Sequence, residues 1–218
     1  MATRTTTAAD FLPAHRDIES LRTAAASCQG CGLYQHATQT VFGDGPRDAK
    51  LVVVGEQPGD KEDTAGEPFV GPAGALLGRA LTEAGIDRRE AYVTNAVKHF
   101  KFVPPERGKR RIHQKPSRTE VVACRPWLVA EVEALRPHLV LCLGATAAQS
   151  VLGTSFRITQ QRGQLLEWDV DAAGVVTDPP AVLATTHPAS VLRARDEDRK
   201  RAYADLVDDL RAVARALS

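Results

Sequence analysis

The chemistry in this chain is concentrated in four cysteines, one histidine in a basic loop, and polar residues that end apolar runs. Cys28 and Cys31 form a close C-x-x-C pair, while Cys124 and Cys142 lie far downstream. Four thiolates suit either a four-cysteine zinc site or an iron–sulfur cluster. Zinc ribbons usually draw on two close pairs, so the widely split second pair tilts toward a cluster. The competing reading makes Cys142 a small core residue within an apolar strand and Cys124 incidental. The basic loop is "GKRRIHQKP", residues 108–116, in which Lys109, Arg110, Arg111 and Lys115 surround His113. Such cations hold phosphates. The histidine among them is either one more phosphate contact or a nucleophile or base delivered to a bound substrate.

These groups need a frame that brings them together. "KLVVVGE" (50–56), "AYVTNAV" (91–97), "HLVLCLG" (138–144), "GQLLEW" (163–168) and "AVLATTH" (181–187) read as strands. Helical patterns over 14–27, 71–85, 118–135 and 196–216 alternate with them. That alternation predicts an α/β fold: a single domain with three α/β/α layers around a central, mostly parallel sheet. In such sheets ligands bind beyond the carboxyl ends of the strands. Glu56, Gln57, Asn95 and His187 all sit at strand ends, and the basic loop also leaves a strand end, that of 91–97. Four separate segments are thus expected to converge on one edge.

Composition narrows the partners. At 218 residues, 43% hydrophobic and 25% charged, the chain suits one well-buried domain. The formal net charge of +1 conceals nine Lys or Arg against two Glu between Lys98 and Arg125. An anionic partner on that side is implied, nucleic acid first. No apolar run approaches the roughly 20 residues of a membrane span, and "MATRTTTAADFLPAHRD" lacks the apolar core of a secretory signal. A cytoplasmic protein is expected, where structural disulfides are rare and the cysteines need another role. Residues 1–12 are expected to be a flexible tail and 13–218 the domain, with a basic insertion at about 103–117.

"GEQPGDKED" (55–63), "NAVKHF" (95–100), "HPASVLR" (187–193) and the four-cysteine spacing together resemble the family-4 iron–sulfur uracil-DNA glycosylases. The likeness runs from about residue 28 to the C-terminus. Ordinary members carry "GEAPG" at the first motif and lack an insertion like "KRRIH" (109–113). Gln57 and that insertion look like the mycobacterial-type uracil-DNA glycosylase X branch, whose members end covalently bonded to their DNA product.

The resemblance implies a glycosylase fold and a structural 4Fe-4S cluster held by Cys28, Cys31, Cys124 and Cys142, with no nucleotide cofactor. It implies that Asn95 reads uracil O4 and N3–H, that His187 donates to O2, and that Phe69 stacks on the flipped base. Glu56, Gln57 and Asp60 form the catalytic turn, with Gln57 also beside the base, and His113 is the nucleophile that bonds to deoxyribose C1′. Lys109, Arg110, Arg111, Lys115 and Arg193 hold the DNA. The partners would be uracil-containing DNA, with single-stranded DNA included, and free uracil as product, handled by a monomer. Two rivals stand beside this reading. One is a turnover glycosylase in which Glu56 and Asp60 hold a water and His113 only positions DNA. The other is a metal-stabilised nucleic-acid-binding module without catalysis, which leaves Glu56, Asn95 and His187 unexplained.

Overall fold

The runs LVVVG, AYVTN, LVLCL and AVLAT lack a polar face because they are buried on both sides, as parallel strands must be. The computed structural model describes residues 6–103 and 111–218. In chain order its elements begin with α1 (Ile18–Ala25), β1 (Leu51–Gly55), α2 (Asp60–Ala65), α3 (Pro72–Glu83) and β2 (Ala91–Asn95). A short hairpin follows, β3 (Phe102–Val103) and β4 (Ile112–His113), and then α4 (Arg118–Leu135). Next come β5 (Leu139–Leu143), α5 (Gly144–Leu152), α6 (Ile158–Gln161), β6 (Leu165–Leu166) and α7 (Val170–Ala173). The chain closes with β7 (Ala181–Thr185), α8 (Pro188–Arg193) and α9 (Asp196–Leu217).

Among the described residues, five strands form one sheet in the order β2-β1-β5-β7-β6, parallel except for β6. Alternate side chains serve opposite layers. Val52, Val54, Val140 and Val182 pack with Leu21 of α1, Trp127 of α4 and Ala147 of α5. Leu51, Val53, Leu139 and Leu141 pack with Leu77 of α3 and Leu206 and Leu210 of α9. This is the expected three-layer architecture. None of the described helices is long and apolar enough to cross a membrane.

Three details differ from the expectation. The stretch after β2 is not all loop, because Phe102 pairs with His113 and Val103 with Ile112 in an antiparallel hairpin. Residues 144–152, outside the expected helical patterns, form α5 directly after β5. The expected N-terminal tail is partly ordered. Ala8–Phe11 makes a turn of 3-10 helix, Thr7 N–H donates to the Asp10 carboxylate at 2.9 Å, and Ala8 is fully buried. The segment lies so close to the cysteine pair that a Cβ on Gly30 would stand 2.4 Å from Ala8 N. Glycine there is a packing requirement.

Under the β2 terminus lies a buried ionic network. Lys98 Nζ donates to Glu131 Oε2 at 2.5 Å, to Thr94 Oγ1 at 2.6 Å and to the Asn95 carbonyl at 2.8 Å. Glu131 also accepts from Tyr92 Oη at 2.9 Å and from Gly43 N at 3.2 Å. Both charged side chains are wholly shielded from solvent. Removing one partner strands the other charge, so Glu131→Ala is expected to lower stability by about 3–5 kcal/mol in denaturant unfolding. A loss below ~1 kcal/mol, the scale of an exposed pair, would contradict this account.

Candidate active site

The carboxyl ends of β1, β2, β5 and β7 open into a cavity of about 450 Å³ lined by Glu56, Gln57, Phe69, Asn95, His113, Thr146, His187 and Arg193, among others. Gly55 ends β1 where the neighbouring space is already filled. A Cβ there would meet Asn95 Oδ1 at 2.3 Å and the Phe69 ring at 2.8 Å. The Asn95 side chain and the Phe69 ring therefore close on one another at the cavity floor. Phe69 has φ +60°, a backbone conformation that residues other than glycine seldom adopt. Strain of this kind persists where surrounding packing fixes a side chain for use.

His187 caps α8, and its Nδ1 accepts a hydrogen bond from Ala189 N at 3.1 Å. A neutral ring whose Nδ1 accepts must carry its proton on Nε2, which makes Nε2 a donor. Burial, reinforced by Arg193 and His113, holds the His187 pKa down to about 4. Glu56 is fixed from the other side by the Thr146 hydroxyl, which donates to its Oε2. His113 Nε2 stands 3.4 Å from Glu56 Oε1, and the imidazole is about half exposed.

The hairpin that carries His113 is fastened by Gln57. Gln57 Nε2 donates to the carbonyls of Lys101 and Gln114, each at 3.1 Å, and its Oε1 accepts from Lys101 N at 3.1 Å. Its side-chain amide is thus bonded to both hairpin strands, while the residue itself lines the cavity. Asp60 and Arg111 also change role. The Arg111 guanidinium pairs with Asp60, bonds the buried Asp63 at 2.5 Å, and stacks over Phe100 and Phe102 at 5.4 and 5.0 Å. Arg111 anchors the hairpin, with Asp60 and Asp63 as its counter-ions. Lys115 and Arg193 line the cavity. Lys109 and Arg110 lie outside the described residues.

The cysteines divide three to one. Cys28 Sγ accepts from Trp127 Nε1 at 3.2 Å and Cys124 Sγ from Lys98 N at 3.2 Å. Burial pushes the Cys124 thiol up to about 12, and Cys31 and Cys28 each add to that rise. Cys142 is raised by burial alone, with no contribution from the other three. It sits in β5 opposite Val54, two strands from the β2 end that touches Cys124, roughly 10 Å at strand spacing. The expected ligand role of Cys142 is therefore corrected to that of a core residue. Among the described residues no three His, Cys, Asp or Glu side chains are arranged to hold a single metal ion. A tetrahedral zinc would need all its donors within ~2.3 Å of one point.

A family model described as "Uracil DNA glycosylase superfamily" matches residues 42–211. The chain belongs to the uracil-DNA glycosylase superfamily. A type-4 uracil-DNA glycosylase of Thermotoga maritima is 36% identical over 175 residues, covering 80% of this chain and 82% of the relative. One from Archaeoglobus fulgidus is 38% identical over 170 residues, covering 76% and 78%. A third, from Pyrobaculum aerophilum, is 34% identical over 179 residues, covering 81% and 85%.

Within this glycosylase frame, sequence reading missed Thr146 and Asp63. Thr146 follows the end of β5 as Asn95 ends β2, so strand-end logic applied to every strand finds it. Asp63 is one of several acids in "GDKED", and only its complete burial against Arg111 and the Thr38 amide distinguishes it.

The tautomer of His187 can be tested directly. Its ordinary pKa of 6.5 drops to about 4 in the fold, so the unfolded chain takes up the proton first as pH falls. The stability contribution of the neutral ring is therefore complete above about 6.5 and is lost as pH falls toward 4. In nuclear magnetic resonance the His187 ring is expected to titrate near 4, and a midpoint near 6.5 would contradict the buried, N–H-accepting geometry.

Proposed function

We propose that this chain removes uracil from DNA and is left bonded to the abasic deoxyribose through His113. The observation that carries the reading is the placement of His113. A hairpin pinned by Gln57 and Arg111 puts its ring at the rim of the cavity, beside Glu56 and across from His187.

The target nucleotide is swung out of its strand so that the base enters the cavity. Phe69 stacks on it. The Asn95 amide donates to O4 and accepts from N3–H, a pattern cytosine does not offer. His187 Nε2–H donates to O2, where negative charge grows as the C1′–N1 bond breaks and its electron pair leaves with uracil. A donor already aimed at that oxygen contributes ~10²–10³-fold in rate. The sugar is left with oxocarbenium character, and the Glu56 carboxylate, held still by Thr146, stabilises it. A ring-nitrogen lone pair of His113 then bonds to C1′, and the proton on the other nitrogen is received by Glu56 or solvent. Uracil departs as the free base.

Lys115 and Arg193 flank the cavity mouth. A second cleft of about 610 Å³, lined by Lys115, Arg118 and Arg125, adjoins it through Lys115 and Thr146 and suits the phosphates of a flanking strand. Lys109 and Arg110 add charge to the same loop. Cys28, Cys31 and Cys124 would hold an iron–sulfur cluster, which when bound ties the loop after α1 to α4 and does no bond-breaking chemistry. The protein would act as a monomer in the cytoplasm.

The decisive experiment mixes the protein with uracil-containing single-stranded DNA and runs a denaturing gel. A slower protein–DNA band is expected with wild type and none with His113→Ser. Alkali-labile strands accumulating without a band would instead establish turnover, with His113 only positioning DNA. Neither product would leave a binding module. Gln57→Ala should slow adduct formation by up to ~10²-fold, because the hairpin is no longer fastened. Uracil release should slow far less, and equal losses in both would contradict the positioning role.

A further inference from the structure

We propose that the cleft beside the active cavity is a second base-reading site, which takes a guanine near the uracil in the same single strand. The inference rests on the reading that this chain acts on uracil in DNA, and it names the sequence context preferred there. The cleft, of about 610 Å³, carries charges of both signs. Lys115, Arg118 and Arg125 are its cations, and Asp169 and Asp171 its carboxylates. Among the described residues none of the three cations forms an ion pair, and the Asp171 carboxylate accepts no hydrogen bond. Arg125 Nε is buried without a partner. Burial, and then the neighbouring charge of Arg118, lower the Arg125 pKa, with Asp169 acting in the opposite sense. Opposite charges that share a cleft without pairing leave room for a ligand that satisfies both.

A nucleotide meets these needs. Arg118, Val122 and Arg125 stand at i, i+4 and i+7 of α4 and share one helix face. Val122 is 43% exposed, so an apolar surface lies between two guanidiniums, one for the flat face of a base and the others for its phosphate. Asp171 decides which base. A carboxylate can only accept. Guanine presents N1–H and an N2–H side by side, one for each carboxylate oxygen. Adenine and cytosine set a bare ring nitrogen beside their amino group, and thymine sets two carbonyls around one N–H, so each turns a lone pair toward the carboxylate. In a single strand that edge is unpaired and open to reading. Asp169 fixes the platform, because its Oδ1 accepts from Asp171 N and Ala172 N at 3.0 Å each. Lys115 and Thr146 line both the cleft and the active cavity, so one strand can cross from one to the other.

The test uses the full chain and two readouts. In fluorescence anisotropy, a thymine strand with one guanine and no uracil should bind about 10-fold tighter than the all-thymine strand. In single-turnover uracil release below saturation, a guanine is moved position by position along a uracil-containing thymine strand. At one spacing from the uracil it should raise the rate by a similar factor. Asp171→Asn should erase both preferences. Arg118→Gln should weaken binding of either strand alike and flatten its salt dependence. Equal binding of the two strands by wild type, or a guanine preference that survives Asp171→Asn, would overturn the proposal. So would an observed release that guanine speeds at no spacing. Guanine-dependent binding with no uracil released from any strand would keep the site and remove the proposed function, a separate result. Asp171 is exposed and its amide variant keeps the backbone bond to Asp169, so the fold is not at stake.

Discussion

The Lys98–Glu131 pair sits where both centres of this molecule meet. Lys98 follows Asn95 by three residues and precedes His99, so the segment held by its ammonium carries a cavity-lining amide on one side and a buried imidazole on the other. Its own backbone N–H reaches Cys124. Burying both charges is unfavourable by itself, and the network of Thr94, Tyr92, Gly43 and the Asn95 carbonyl offsets that cost by leaving no lone pair or proton of the pair idle. The result is a strand terminus with little freedom, and the cavity is built on it.

The basic insertion uses its charges in two ways. Arg111 turns inward to two aspartates and two phenylalanine rings, and Lys101 pairs with Glu120 at 2.9 Å, next to the Ser117 cap of α4. These cations hold the hairpin against the domain. Lys115 faces the cavity and the adjoining cleft. Fastening the hairpin and lining the cavity are different tasks, and residues a few positions apart divide them.

Much of the frame was legible in sequence because the sheet is buried on both faces, which forces continuous apolar runs with polar residues at their ends. Asn95, His187 and Glu56 could be placed on one edge from that logic alone. The two-residue strands of the hairpin are too short to leave a periodic trace, and Gln57 adds tertiary bonds to their own pairing. Arg111 reads like its neighbours in "KRR" until Asp63 is found beneath it. Spacing was also a poor guide to the cysteines. Cys142 completed a count of four, but a strand in mid-sheet cannot bring its thiol to the edge where the others gather.

The cap at His187 explains the order of residues in "HPAS". Proline fits the first position of a helix because its missing N–H would have no partner there. It also means that Pro188 has nothing to offer the ring before it, and the duty of fixing the tautomer passes to Ala189. At position 189 the side chain is of little account and the amide hydrogen is indispensable. A second proline there would preserve the helix and still remove the hydrogen bond that sets the ring's tautomer. The site thus depends on a residue that contributes only its backbone, and no inventory of reactive side chains would include it.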